Sequence, residues 1–158
     1  MKNLCRDVAG LTLPEVLLSA VIIAVAILGL VGLFPTALQN VQYGGHMSQA
    51  SSLAQAMIEM IRTESFATVP SYDGLDTRNG VPGGLPASVL THFTQWTNRI
   101  APPTPAGALP QGWGRVIVGP VMDGAVELAD VKQVSVSVGW QERGGQTLTF
   151  VTYVARHD

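Results

Sequence analysis

Gly10-Leu11-Thr12-Leu13-Pro14-Glu15 leads directly into Val16 to Phe34, nineteen residues with no charge and a single hydroxyl, Ser19. At ~1.5 Å per residue such a helix reaches about 28 Å, close to the ~30 Å hydrocarbon core of a bilayer, so it is long enough to cross one once. The acid at its head is the anomaly. An unpaired carboxylate carried to the bilayer centre costs about 2.5–3.5 kcal/mol, so Glu15 calls for a cationic partner. Upstream, Lys2 and Arg6 lie on the short N-terminal side. By the positive-inside rule they favour a cytoplasmic N-terminus and an exported C-terminal part.

Lys2 and Arg6 ahead of Gly10, Leu11 directly after it, a Glu at the fifth position after that glycine and a long apolar run form a coordinated set. In these features the chain resembles the type IV prepilins and type II secretion pseudopilins. The resemblance implies cleavage between Gly10 and Leu11 by a prepilin peptidase and N-methylation of Leu11. It further implies that Glu15 pairs with the α-amino group of a neighbouring subunit during assembly. The expected partners are therefore other pilin or pseudopilin subunits, the prepilin peptidase, an inner-membrane assembly platform with its ATPase, and the membrane, crossed once. The chain departs from the family pattern in carrying Leu11 where Phe is common and Pro14 where an aliphatic residue is common. A first-turn proline lacks only an N–H that has no helical partner there.

Other readings of the same residues stay open. Thr12-Leu13-Pro14-Glu15 fits a capping box, with Thr12 as N-cap and Glu15 reaching back to it. Ala24-Val25-Ala26 imitates a signal-peptidase site, although the apolar run continues beyond it and exceeds the usual ~7–15 residues. A plain single-pass anchor for a periplasmic binding domain also accounts for the hydrophobic run. It leaves Gly10 and Glu15 without a role.

The chain has 158 residues and a formal charge of −2. Removal of the first ten leaves seven basic against ten acidic residues, a charge of −3. No basic patch is present, so direct nucleic-acid binding is not expected. The only cysteine, Cys5, falls within the leader, so the processed chain contains no disulfide.

Five segments are expected: a leader over 1–10, a membrane or filament-core helix half over 11–35, an amphipathic half over 36–66, a loop-rich variable region over 67–114 and an antiparallel sheet over 115–158. No Asp, Glu, Lys or Arg occurs from Val16 to Ile58. Met47, Ala50, Leu53, Ala54, Met57, Ile58 and Ile61 recur at threes and fours, the mark of a helical stripe facing a core. Gly44-Gly45 leaves two alternatives: one long bent helix, or a helix ending near Tyr43 and a second from about Ser48 to Phe66. Gly29, Gly32 and Pro35 interrupt the first half. They ease close packing, or, as the resemblance implies, let this part lose helicity in a filament.

Val69 to Pro86 is rich in turn residues and reads as a surface loop. Ser88 to Ile100 is ambiguous. Val89, Phe93, Trp96 and Ile100 fit a helical face, but the threonines and flanking prolines favour a strand near Phe93 to Ile100. Four prolines between Ala101 and Gly114 argue against regular structure there. Arg115 to Val118 is a short apolar run, and Ala125 to Leu128 reads as a brief strand or a turn. Gln133 to Trp140 and Thr147 to Ala155 alternate with period two and form a β-hairpin across Arg143-Gly144-Gly145. The fold class is thus α+β, a long N-terminal hydrophobic helix packed through its C-terminal half on a small antiparallel sheet, the architecture the resemblance implies. Ile27-Leu28-Gly29-Leu30 and the late valine strand ending in Trp140 are similar to V-type minor pilins and I-type pseudopilins.

No phosphate-binding glycine loop, metal-ligand spacing or nucleophile elbow occurs, so no catalytic residue, cofactor or metal is expected. His46, His92 and His157 are widely separated. Asp73 with Asp76, or Asp123, Glu127 and Asp130, offer oxygen ligands but not the spacing of a calcium loop. Tyr72, Trp96 and Trp113 read as core, with a partner surface as the alternative. The functional expectation is a structural subunit, a minor pilin or pseudopilin that helps to prime a filament. It is held first in the inner membrane and then in a periplasmic or surface polymer.

Overall fold

The computed structural model describes residues 12–102, 109–142 and 144–156. Its first element is a helix of 50 residues, α1, Leu13–Arg62. The chain divides into two units, Met1–Gln42 and Tyr43–Asp158. In the first, every large apolar side chain from Leu13 to Val41 is exposed, with Leu13 75 % and Leu28 71 % accessible. The helix is therefore long and apolar enough to cross a membrane, and nothing in its own unit covers it. Gly10, Leu11, Cys5 and His157 lie outside the described residues.

The helix passes through both expected interruptions. Pro35 withdraws one helical N–H, yet α1 continues beyond it. It also continues through Gly44-Gly45, which settles the alternative of two helices. Two glycines together cost about 2 kcal/mol of helix propensity relative to alanine. Tertiary bonds flank them: the Tyr43 hydroxyl donates to Gln146 Oε1 at 3.4 Å, and His46 Nδ1 lies 2.9 Å from Glu142 Oε2. The end is nearer than Phe66, because Thr63–Thr68 is a turn in which Thr68 N donates to the Ser65 carbonyl.

In the second unit the stripe on α1 faces the core: Ala50, Leu53, Ala54, Met57, Ile58 and Ile61 are buried. Met47 is not, at 44 % exposure. Opposite the stripe lies a three-stranded antiparallel sheet in the order β1-β2-β3, with β1 Trp113–Asp123, β2 Val126–Trp140 and β3 Gln146–Ala155. Val116, Val134, Val136 and Val138 are fully buried on the face shared with the α1 stripe, as period two requires. Arg62 Nη2 ties the helix to the sheet through Thr152 Oγ1 at 2.8 Å.

Two expectations are corrected. The strand expected near Phe93–Ile100 is helix α2, Ala87–Ile100, with Val89, Phe93, Trp96 and Ile100 buried at spacings of four, three and four. The threonines misled because each satisfies its hydroxyl within the helix. Thr91, Thr94 and Thr97 donate to the carbonyls of Ala87, Leu90 and Phe93, all at 2.8 Å. Pro86 precedes the first turn and interrupts nothing. The apolar run Arg115–Val118 and the strand or turn expected at Ala125–Leu128 belong to one long hairpin, with Ala125 in its turn and Val126–Leu128 in β2, and it crosses Pro120 by a register shift between Pro120 and Val121. A bulge is where a strand tolerates proline. The loop-rich region also contains a 3₁₀ turn, Val69–Tyr72, with Val69 and Tyr72 buried.

Two glycines in the sheet are imposed by aromatic neighbours. A Cβ at Gly114 would stand 2.3 Å from the Trp96 ring and 2.6 Å from Ile100 Cδ1. One at Gly139 would meet the Trp113 ring at 2.3 Å. Gly114 lets α2 lie close on the inner face, and Gly139 seats Trp113 on the outer one.

Candidate functional site

The first turn of α1 brings one carboxylate to the edge of the apolar run. Glu15 N donates to the Thr12 carbonyl at 3.0 Å and Val16 N to the same oxygen at 3.1 Å, so the backbone alone starts the helix. Among the described residues, neither the Thr12 hydroxyl nor the Glu15 carboxylate has a hydrogen-bond partner. The reciprocal side-chain bonds of a capping box are thus not made there. Glu15 is exposed, and the uncharged surface above it is uncovered. Gly29 and Gly32 have open space where a Cβ would stand, leaving a smooth strip for a close neighbour. Leu30, Leu33, Phe34 and Ala37 line a shallow apolar notch beside it.

The polar groups of the second unit, by contrast, engage one another. His46 shares Glu142 with the Trp140 indole, whose Nε1 donates to the same Oε2 at 3.1 Å. Tyr72 and His92 meet at 2.6 Å, with the Glu64 carboxylate 3.7 Å from the same ring nitrogen. Burial, and secondly that carboxylate, push the Tyr72 phenol above its ordinary range, so it remains protonated. Most of the carboxylates considered for calcium are taken by other groups. Asp73 Oδ1 accepts from Val118 N at 2.9 Å, Glu127 holds Lys132 at 3.0 Å and Asp130 holds Arg156 at 3.1 Å. Among the described residues, no three His, Cys, Asp or Glu side chains gather as a metal site would require.

One cluster escaped the sequence reading. Asp76 is buried and accepts from Arg78 N at 3.0 Å, from Nε at 2.9 Å and from Nη2. The Arg78 guanidinium lies 4.3 Å from the centre of the Trp113 ring. Hydrogen bonding by the Arg78 side chain holds the Asp76 carboxyl below its usual range. Only the Asp-x-Arg spacing before Asn79-Gly80 hinted at it. Its role is structural, since it fixes Gly74–Thr77 along β1: Val116 N donates to the Leu75 carbonyl at 2.8 Å and Thr77 N to the Gly114 carbonyl at 2.9 Å.

A depressed folded-state pKa adds stability that is fully present above the unfolded value, about 3.9, and is lost as pH falls through the folded value. Asp76→Asn should therefore destabilise the protein by about 1–3 kcal/mol at pH 7, because it weakens a buried acceptor. The gap from the parent should narrow below about pH 4. Urea unfolding of both proteins across that range measures it.

No protein-family model matches the chain, and no curated protein or solved structure matches it.

Proposed function

We propose that this chain is a structural subunit of a type IV pilus-like filament, a minor pilin or pseudopilin that works by assembly rather than by catalysis. The observation that carries this reading is the first turn of α1. There a carboxylate without a partner among the described residues heads an uncharged run, Val16 to Val41, that its own unit leaves bare. A helix of that kind needs lipid or sister helices around it, and its acid needs a cation.

In the mechanism, the uncleaved protein waits in the inner membrane with Val16 to Phe34 in lipid. A prepilin peptidase cuts between Gly10 and Leu11, and Leu11 becomes the methylated N-terminus. The Glu15 carboxylate of an incoming subunit then moves to the Leu11 amine of the subunit already in place. Mutual attraction offsets the desolvation of both charges, and the site fixes the register. Bare apolar faces bury against one another as an ATPase-driven platform lifts each subunit out. A type II secretion pseudopilus would use the same steps.

Mass spectrometry of the N-terminus tests the processing step. A methylated Leu11 start is expected, and Gly10→Ala should abolish it and leave the full-length chain in the membrane. An intact Met1 in the parent would point to a plain anchor. An Ile27 start would point to a secreted protein cut after Ala26.

A further inference from the structure

Gly44 and Gly45 lie inside α1 without a contact that requires glycine. Neither has a positive φ, and a Cβ on either would meet no atom within 4 Å. Alanine therefore fits both places and, as the better helix former, would strengthen the helix there. Gly114 and Gly139 are imposed by a neighbouring ring, whereas Gly44 and Gly45 only weaken α1 in this conformation. Two such residues in succession set the place where the helix opens most easily.

The fold closes that place from outside. Tyr43 and His46 bracket the glycines and, three residues apart, share one face of the helix. Both bond to the ends of the β2–β3 turn: the Tyr43 hydroxyl to Gln146 Oε1 at 3.4 Å and His46 Nδ1 to Glu142 Oε2 at 2.9 Å. The receiving groups are themselves held. Glu142 Oε2 also accepts from the indole of Trp140, which is 3 % exposed, and the Glu142 carbonyl accepts from Gln146 Nε2 at 3.4 Å. The His46 and Glu142 side chains are 26 % and 18 % exposed, so water competes only in part for the bond between them. One bond would fix the helix at a point, but bonds on both sides span the weak pair. We propose that Gly44-Gly45 is a hinge in α1 and that these two bonds are the clasp that holds it shut. Loss of the clasp lets the helix open at the glycines while the stripe from Ala50 to Ile61, buried against the core, stays packed. The hinge is independent of the filament reading, since it requires neither a membrane nor Glu15.

The test is amide hydrogen exchange of the full chain in detergent, read by mass spectrometry and corrected for the intrinsic rate of each sequence. Tyr43→Phe and His46→Ala together remove both bonds and leave the sheet untouched. Exchange over residues 44–48 should accelerate roughly tenfold or more, with residues 50–61 and β2 unchanged. The sign is diagnostic, because alanine at position 46 raises helix propensity and without a clasp would slow exchange. Adding Gly44→Ala and Gly45→Ala to this variant should slow exchange again by roughly tenfold. Glu142→Ala breaks the His46 bond from the side of the sheet. It should likewise accelerate residues 44–48, and the same two alanines should reverse the effect. Unchanged or slower exchange in the Tyr43→Phe, His46→Ala variant would overturn the proposal. So would an acceleration that the alanines fail to reverse, or one that spreads equally over residues 50–61.

Discussion

Trp96→Ala should come close to unfolding the head of this protein, with a loss of about 3–5 kcal/mol against a typical total of ~5–15 kcal/mol. The side chain is fully buried between α1, α2 and β1, and its indole Nε1 donates to the Leu53 carbonyl at 2.9 Å. Truncation therefore opens a large cavity and removes a buried hydrogen bond that anchors α2 to α1. Gly114 is the other half of this contact. Gly114→Ala forces a methyl into the ring and should cost about 1–3 kcal/mol by overpacking. A double-mutant cycle separates fit from general damage. If the close approach is the cause, Trp96→Phe should recover part of the Gly114→Ala loss, so the two changes together fall short of their sum. Urea unfolding followed by tryptophan fluorescence and circular dichroism measures all of these, and strict additivity would contradict the packing described.

The helical character of α1 was legible because an uncharged run from Val16 to Ile58 and a stripe ending at Ile61 act over its whole length, but its continuity through Gly44-Gly45 was not. The β2–β3 hairpin was legible for a similar reason, since period two holds over both strands. What failed was local chemistry that tertiary context reverses. Threonine disfavours helices only until its hydroxyl finds the carbonyl four residues back, as it does three times in α2. The run read over Arg115 to Val118 stopped short of Pro120, but a register shift between Pro120 and Val121 carries the hairpin past it. The Asp76–Arg78–Trp113 cluster joins residues 37 positions apart and has no periodic signal. Glu15 was conspicuous in sequence because it stands alone among apolar residues. The partner proposed for it, the amine of a neighbouring subunit, came from the resemblance alone.

Glu15→Ala carries the second large effect. The substitution removes an exposed group that bonds to no side chain among the described residues, so folding and cleavage should be unaffected. In the assembled state, however, it leaves the neighbouring amine desolvated without its counter-charge, a loss on the order of 3–5 kcal/mol for a buried pair. Each 1.4 kcal/mol is a factor of ten, so incorporation into sheared filaments should fall by about a hundredfold or more while the processed protein accumulates in the membrane. Glu15→Gln should fall nearly as far, since it keeps the shape and loses the charge. Normal incorporation of either variant would mean that the carboxylate serves something other than assembly.

The most direct measurement is zero-length carbodiimide crosslinking of a purified polymer, assembled from a mixture of isotopically light and heavy chains. Peptides are then identified by mass spectrometry. The account predicts a peptide in which the Glu15 carboxyl of one chain is joined to the Leu11 amine of another, with light–heavy pairs at the frequency of random mixing. A polymer in which Glu15 reacts only with solvent or within its own chain would contradict it.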